Sequence, residues 1–456
     1  MNTLDIHNLA TGALIATLPA DDAASIAAKA SAARAAQPAW AARPLRERIA
    51  IVQRFRDAVV AERDTLALTL TQEVGKPITQ SRNELNGLLP RLDFFLANAE
   101  RTLADEAVFD DAGMTERIAH DPLGLVANIS AWNYPWFVSC NVVVPALLAG
   151  NAVLYKPSEL ATLTGQHLVR LLHAAGVPRD ALALVVGAGA AGAALLEQPI
   201  DGLFFTGSHA TGMRIAKALA GRLVKLQLEL GGKDPTYVRA DADAKTAAES
   251  LADGAMYNSG QSCCSVERIY VHEAIHDAFV EYFLAVVEGL KVGDPMDEAT
   301  YIGAIARAPQ LEVLDAQVAD AKAKGATLLR GGQRLPGNAY SPTVFTGVNH
   351  TMELMREESF GPVIGIQKVT SDDEAVALMN DTRYGLTAGV YTKDEAAARA
   401  LLARVHAGSV YWNCCDRVSP RLPWSGVGDS GIGLTLSTQG LLAFTRPKAW
   451  HLRSPA

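Results

Sequence analysis

The sequence lacks the features that mark secreted proteins. Its 456 residues include only five cysteines. The two adjacent pairs among them, at 263/264 and 414/415, form neither a C-x-x-C pair nor an even disulfide framework. The N-terminus has no basic segment followed by an apolar stretch, so no secretory signal is visible. These absences predict thiols in a reducing compartment and a cytoplasmic location.

An excess of positive charge and long uninterrupted apolar runs are absent as well. The formal net charge is −8, which disfavours a nucleic-acid partner. The most apolar region, 136–155, is interrupted by polar residues, a proline and a glycine, which a lipid-facing helix tolerates poorly. It instead predicts a buried helix followed by a buried strand, so we expect no membrane association. The histidines are scattered, and we expect no metal site.

The chain does have length and a regular alternation of apolar runs with helical stretches. A chain of 456 residues is too long for one core, so two or more domains are expected. An alanine-rich stretch from Asp21 to Gln37 predicts a helix that ends near Pro38. Longer helical patterns follow at about 46–74 and 78–105.

Short apolar runs that end in turn residues begin at about residues 125, 152, 183, 202 and 226, each followed by a helical or turn segment. Strands that alternate with helices predict parallel βαβ units. The sequence therefore predicts an α/β fold with a Rossmann-like, doubly wound parallel-sheet domain. A second alternation begins near Asp234 and predicts a second α/β domain that carries Cys263.

Two residues with useful chemistry are framed by glycines. Cys263 lies in Gly260-Gln261-Ser262-Cys263-Cys264, and Glu229 begins Glu229-Leu230-Gly231-Gly232. A free thiol with a pKa of about 8.5 is mostly protonated at neutral pH, so a nucleophilic cysteine needs help. A carboxylate in a partly dry cleft has a raised pKa and can take a proton from the thiol or from water. We interpret Cys263 as a nucleophile and Glu229 as its general base, whereas either residue alone is more often structural.

Both glycine-framed segments, in this order and at this separation, resemble the signature segments of the NAD(P)-dependent aldehyde dehydrogenase superfamily. The resemblance covers nearly the whole chain. It implies NAD-dependent oxidation of an aldehyde to the carboxylic acid through a Cys263 thiohemiacetal and thioester, with Glu229 as general base. Asn133, in Ala131-Trp132-Asn133-Tyr134-Pro135, matches the asparagine of the family's oxyanion hole. The alternatives are a coenzyme A-acylating relative, which the glutamate argues against, and a non-catalytic binding or structural member.

The resemblance also implies where a dinucleotide binds. The literal G-x-G-x-x-G at 187–192 is followed by a strand without the acidic residue that the motif requires, so we interpret it as part of the site's wall. A carboxylate at Glu159 beside the ribose repels a 2′-phosphate, which predicts NAD in preference to NADP. The expected cofactor-binding residues are Trp132, Lys156, Ser158, Glu159, Gly189, Phe205, Gly207, Ser208, Gly212, Leu230, Glu358 and Phe360.

By the same resemblance, a funnel leads the substrate to the thiol. Its expected lining is Tyr134, Val138, Tyr257, Asp416, Val418 and Trp424. The aromatic faces suit an apolar or cationic tail. Tyr134 and Trp424 match the aromatic box of amino- and betaine-aldehyde dehydrogenases, and Asp416 can meet an ammonium group, although Asn141 replaces an expected tryptophan.

Two arginines in the same loop favour a different substrate. Arg417 and Arg421 can bind the distal carboxylate of a semialdehyde such as succinate semialdehyde. The substrate therefore stays open between apolar, amino- and carboxy-substituted aldehydes. Some family members also have a lysine and a glutamate that relay protons from the base; the matching positions here are Val142 and Thr435, so we expect the proton to leave through water or backbone carbonyls.

The resemblance divides the chain into three parts. It implies an NAD-binding domain at 1–106 and 122–230, a catalytic domain at 231–430, and an oligomerisation flap at 107–121 with a C-terminal strand in 431–456. In the family the flap pairs with a C-terminal strand across a dimer. Because an unpaired edge strand is an aggregation hazard, a homodimer or homotetramer is expected.

Overall fold

The computed structural model describes residues 2–111 and 113–455. The helices are α1 (Ala23–Ala41), α2 (Leu45–Ala61), α3 (Arg63–Val74), α4 (Ile78–Thr102), α5 (Pro135–Leu148), α6 (Thr162–Ala175), α7 (Gly189–Leu196), α8 (His209–Leu219), α9 (Ala244–Met256), α10 (His276–Gly289), α11 (Ala308–Ala323), α12 (Asp372–Asn380), α13 (Glu395–Leu402) and α14 (Ser437–Leu442). Within the described residues, no helix is long and apolar enough to cross a membrane.

Five groups of hydrogen-bonded strands accompany these helices. The strands are β1 (Thr3–His7), β2 (Leu14–Pro19), β3 (Glu106–Asp111), β4 (Met114–Pro122), β5 (Leu125–Ile129), β6 (Ala152–Lys156), β7 (Leu182–Leu184), β8 (Gly202–Thr206), β9 (Lys225–Glu229), β10 (Pro235–Val238), β11 (Arg268–His272), β12 (Thr327–Arg330), β13 (Arg334–Leu335), β14 (Ala339–Tyr340), β15 (Thr343–Thr346), β16 (Val363–Val369), β17 (Thr387–Tyr391), β18 (Ser409–Trp412), β19 (Gly431–Ile432) and β20 (Thr445–Arg453).

The first large sheet has the strand order β19-β9-β8-β5-β6-β7 and is parallel except for β19. Its central strands β5, β6 and β8 are buried along their whole length, as continuous apolar runs predict. Val126 of β5 packs into one core with α2, α5 and α6, and Leu125 packs into another with α1, α7 and α8. Helices therefore cover both faces, and the strand order reverses beside β5, where ligands bind in doubly wound sheets.

The second large sheet has the order β12-β15-β16-β11-β10-β17-β18, and only β12 runs antiparallel to its neighbour. Apolar clusters also cover both of its faces. The chain leaves the first sheet at Glu229 and enters the second at Pro235, so the carboxyl edge of one sheet meets the amino edge of the other. The predicted α/β fold with two parallel sheets is confirmed.

One predicted helix end is wrong. Helix α1 continues past Pro38 to Ala41 although proline removes a helix hydrogen bond. The last turn is stabilised by Trp40, which is 2% exposed and donates its indole N–H to the carbonyl of Leu147 at 3.1 Å. Tertiary packing therefore outweighs the local signal.

The flap is a three-stranded antiparallel sheet with the order β20-β4-β3. The expected pairing of the flap with a C-terminal strand across a dimer stays a prediction; within the chain, β20 pairs with β4, from Thr445 opposite Pro122 to Arg453 opposite Met114. The reason is local, because α14 ends at Leu442 and delivers the chain directly to that edge.

Candidate active site

A cleft of about 500 Å³ lies where the two large sheets meet. Glu229 reaches it from the end of β9, and Cys263 reaches it from the loop before β11. The six residues expected in the substrate funnel all line this cleft: Tyr134, Val138, Tyr257, Asp416, Val418 and Trp424. The fold therefore brings the expected nucleophile, base and funnel together.

The loop before Cys263 has an unusual backbone. Asn258, Ser259 and Gly260 have φ angles of 53°, 56° and 71°. A Cβ on Gly260 would lie 2.3 Å from the carbonyl oxygen of Gly361, so only glycine fits there. The side chain of Gln261 donates to the carbonyl of Asn258 at 3.1 Å and accepts from the backbone N–H of Ala306 at 2.9 Å. These contacts fix the loop that presents the thiol.

The thiol of Cys263 is partly buried and has a raised pKa. A hydrogen bond with Cys264 lowers its pKa, but burial and the nearby carboxylates of Glu229, Asp234 and Asp416 raise it more. At neutral pH the resting thiol is therefore protonated. A base must take its proton before it can attack a carbonyl carbon.

Glu229 is suited to act as that base. Its carboxylate is buried, accepts from the indole N–H of Trp424, and accepts from the hydroxyl of Thr206 at 3.2 Å. Burial raises the pKa of Glu229 to about 7, and the hydrogen bonds from Trp424 and Thr206 and the charge of Arg91 oppose a larger rise. A carboxyl group with this pKa can both accept and release a proton near neutral pH.

Asn133 lies beside the nucleophile loop. Its side-chain N–H donates to the carbonyl of Gln261 at 3.2 Å, and its own carbonyl accepts from the amide of Asn258 at 3.2 Å. One of the two N–H bonds of its amide is used in this way. Asn133 is not among the residues that line the cleft, so its contact with a substrate oxygen stays a prediction.

The expected residues of the nicotinamide end lie close to one another. The rings of Trp132 and Phe360 meet edge to face with centroids 5.7 Å apart. Glu358 accepts from the backbone N–H of Gly232 at 3.1 Å, and burial raises the pKa of Glu358 to about 8. A Cβ on Gly231 would lie 2.4 Å from the Glu358 carboxylate, which explains the glycine.

The expected pyrophosphate residues surround the start of α8. The hydroxyl of Ser208 caps this helix, and a Cβ on Gly212 would lie 2.5 Å from the Leu230 side chain. A Cβ on Gly207 would lie 2.5 Å from the ring of Phe205. Small residues at a helix N-terminus with unpaired N–H groups fit a pyrophosphate.

The expected ribose residues follow β6. Lys156 is 4% exposed, and its ammonium lies 3.9 Å from the Glu159 carboxylate, which is 45% exposed. Ser158 caps the short helical turn that contains Glu159. Gly189 begins α7 and faces open space, and a Cβ on Gly192 would lie 3.8 Å from the Lys156 side chain. The structure thus brings the end of β6, the turn that contains Glu159 and the start of α7 together, as the expected cofactor cradle requires.

Helix α4 provides one wall of the cleft, which the sequence did not predict. This wall consists of Gln80, Asn83, Glu84, Gly87 and Arg91. Glu84 forms a completely buried ion pair with Lys76 at 2.5 Å. Glu84 and Arg91 are seven residues apart and therefore lie on one face of α4. That face also carries Leu88 and Leu92. Two charged residues on an apolar helix face are the sequence feature that could have indicated this wall.

The structure also locates the two loop arginines and the two positions that match the family's proton relay. Arg417 lines the cleft at its exposed rim, whereas Arg421 is exposed and is not part of the lining. Val142 and Thr435 are buried and provide no titratable group beside Glu229. The predicted exit of the proton through water or backbone carbonyls stays a prediction.

One segment has the spacing of a metal-binding motif, although no metal site is expected. His272-Glu273-Ala274-Ile275-His276 has the H-E-x-x-H spacing of zinc proteases. That motif needs one helix, but here His272 ends β11 and His276 begins α10. In residues 2–111 and 113–455, no group of three or more metal-ligating side chains is present.

Comparisons with known proteins agree with this geometry. The family model described as "Aldehyde dehydrogenase family" matches residues 1–450. A relative from Mycolicibacterium smegmatis, named "Putative succinate-semialdehyde dehydrogenase", NADP(+)-dependent, is 37% identical over 96% of this chain and 87% of its own length. An aldehyde dehydrogenase structure from Brucella melitensis has a TM-score of 0.97 at 31% identity and covers 100% of this chain and 95% of its own. An NAD-dependent aldehyde dehydrogenase from Sinorhizobium meliloti has a TM-score of 0.96 at 34% identity, with 100% and 92% covered.

These relatives overturn one prediction. Several mycobacterial relatives at 36–37% identity are named for NADP(+), so the preference for NAD over NADP that was based on Glu159 is wrong. The structure gives a physical reason. The half-exposed Glu159 carboxylate has room to turn into solvent, and the buried Lys156 ammonium beside it attracts a phosphate.

Proposed function

We propose, from the premise that this chain belongs to the aldehyde dehydrogenase family, that it oxidises a small carboxylate-bearing aldehyde to the acid with NADP. The chain is accordingly an oxidoreductase. One observation carries the mechanism: Cys263 and a buried Glu229 with a pKa of about 7 line the same cleft. A thiol nucleophile and a base with this pKa suit acyl transfer at neutral pH.

The first step is attack by Cys263 on the aldehyde carbon. Glu229 takes the thiol proton, and the new C–S bond places negative charge on the former carbonyl oxygen. The side-chain amide of Asn133 and the backbone N–H of Cys263 stabilise that charge in a site of low dielectric constant. Once the thioester has formed, Glu229 releases the thiol proton to solvent and takes a proton from the attacking water. The C–S bond then breaks to release the acid and the Cys263 thiolate, which takes the proton back from Glu229.

The residues of the cofactor cradle fit a dinucleotide. When bound, its nicotinamide supplies the acceptor for the hydride that leaves the thiohemiacetal carbon. Glu358 and Phe360 would hold the nicotinamide end, and Ser208 with the start of α8 would hold the pyrophosphate. Lys156 would pair with the 2′-phosphate that distinguishes NADP from NAD.

The cleft is poorly suited to an ammonium tail. One ring face of Tyr134 is already occupied by the Lys76 ammonium, 3.9 Å from the ring centroid. Asp416 accepts from the thiol of Cys264 at 3.0 Å, and burial raises the pKa of Asp416. Because Tyr134 of the expected aromatic box and the carboxyl group of Asp416 are both engaged by other groups of the protein, we favour a carboxylate tail, in agreement with the names of the mycobacterial relatives.

We also propose that the chain assembles with copies of itself. Strand β3 forms an outer edge of the flap and exposes Val108 and Phe109, which are 58% and 41% exposed. A strand edge with apolar side chains is stabilised by pairing with another subunit. The number of subunits is for experiment to determine.

The test is formation of reduced cofactor by purified protein with succinate semialdehyde, comparing NADP with NAD. We expect faster turnover with NADP, none with Cys263→Ala, and in Glu229→Gln slow formation of reduced cofactor without a rapid first turnover, because the thiol proton and the water proton both need this base. Absence of oxidation with every aldehyde tried, while the protein is folded, would refute the proposal. Turnover that persists in Cys263→Ala would refute the assigned nucleophile.

A further inference from the structure

The α4 wall of the cleft presents a buried cation, Arg91. We propose that Arg91 is the specificity-determining residue of this enzyme and binds the carboxylate at the far end of the substrate. The inference rests on the proposed function, since it specifies which group of the aldehyde the cleft recognises. Binding of the distal carboxylate is thus assigned to a residue of α4 and to neither Arg417 nor Arg421.

The geometry of Arg91 suits an anion receptor. Arg91 is 5% exposed and still lines the cleft. Its guanidinium stacks on the ring of Phe137 with 4.0 Å to the ring centroid, and it donates to the side-chain oxygen of Asn141 at 3.1 Å. A Cβ on Gly87 would lie 2.8 Å from Phe137, so the glycine makes room for the ring. The planar guanidinium of Arg91 is thus held in place, and its other N–H groups can donate to a ligand carboxylate.

No protein carboxylate neutralises Arg91 within the described residues. One candidate on the same helix, Glu84, is paired with Lys76 at 2.5 Å and also accepts from the backbone N–H of Trp136 at 2.9 Å. Glu229 is engaged by Trp424 and Thr206. Among the ion pairs within 4.0 Å in residues 2–111 and 113–455, Arg91 does not appear.

A buried cation without a partner is costly, and a ligand carboxylate removes that cost. Burial lowers the pKa of Arg91 to about 10, and the charge of Glu229 is among the effects that oppose this, so the group stays positive at neutral pH. Arg417, by contrast, is exposed at the rim, where water screens its charge. A carboxylate that enters the cleft is therefore attracted to Arg91 while its aldehyde end reaches Cys263.

The experiment compares kcat/KM for succinate semialdehyde with kcat/KM for butanal, which has the same carbon chain and no carboxylate. In wild type the ratio favours the carboxylate, and in Arg91→Gln and Arg91→Met we expect it to fall about 10- to 100-fold, mostly through KM. Arg91→Lys retains the charge without the fork and should lie between them. Arg101→Gln is the matched control, because Arg101 lies on the same helix and donates to Asn98 at 2.9 Å but is exposed.

A second measurement separates this inference from the proposed function. Succinate, the product, should bind to wild-type protein and bind at least about 10-fold more weakly to Arg91→Gln, as measured by calorimetry without turnover. Equal binding, or an unchanged substrate ratio in folded variants, overturns the role of Arg91. An equal loss for both aldehydes with a shifted pH profile also overturns it, because Arg91 would then act on Glu229. Failure of wild type to oxidise any aldehyde, with succinate still bound through Arg91, contradicts only the proposed function.

Discussion

At the scale of single residues, the contact between Glu229 and Trp424 bears on the pH dependence of the proposed reaction. Burial alone disfavours the carboxylate, and the indole N–H of Trp424 is the stronger of the two hydrogen bonds that favour it. Since Trp424 also lines the substrate cleft, the same side chain contacts the base and the expected substrate. A change at Trp424 is therefore expected to alter both the pKa of Glu229 and the shape of the substrate cleft.

Replacement of Trp424 by phenylalanine tests this coupling. Loss of the indole N–H removes a contact that lowers the pKa of Glu229, so that pKa should rise from its present value of about 7. Because only the deprotonated base activates water, the midpoint of the pH dependence of kcat should move to higher pH, and the rate at neutral pH should fall. Trp412→Phe is the control, since Trp412 donates to the carbonyl of Thr392 at 3.0 Å. A midpoint that stays or moves to lower pH contradicts the assignment.

At the scale of elements, the sequence predicts what depends on local pattern. The alternation of buried runs located β5, β6 and β8, and the glycine-framed segments identified Cys263 and Glu229. It could not predict the α4 wall, because charged residues such as Glu84 and Arg91 normally face solvent and their burial depends on distant partners. The same limit explains the end of α1, where Trp40 contacts a carbonyl in another helix.

The loop before Cys263 is an element whose backbone shape we expect to determine where the thiol lies. Gly260→Ala combines a positive φ of 71° with a Cβ 2.3 Å from a carbonyl oxygen, so we expect a loss of about 1–3 kcal/mol in the free energy of unfolding, a lower Tm and a displaced thiol. Gly289→Ala, at the end of α10, meets nothing within 4 Å and should be neutral or stabilising. Thermal unfolding and kcat of both variants decide the matter. An active Gly260→Ala protein with an unchanged Tm would show that the loop tolerates a side chain.

At the scale of the whole molecule, the cleft lies between the two large sheets, and the flap is a separate sheet outside it. The flap pairs β20 with β4 inside the chain, so its outer edges are left for contacts between subunits. Its exposed apolar side chains include Phe109 on β3 and Trp450 on β20, both 41% exposed. None of the residues that line the cleft belongs to the flap, so we expect chemistry and assembly to be separable.

Phe109→Lys tests the flap as an interface. A lysine on an edge strand opposes strand pairing and removes an apolar contact, so the assembly mass measured by light scattering should fall toward that of one chain. Leu14→Lys is the matched control, because Leu14 is an exposed apolar residue of β2, outside the flap, at 57% exposure. Since no residue of the cleft lies in the flap, turnover per subunit at high protein concentration should fall less than the mass does. An assembly mass unchanged in Phe109→Lys would place the subunit contact elsewhere on the molecule.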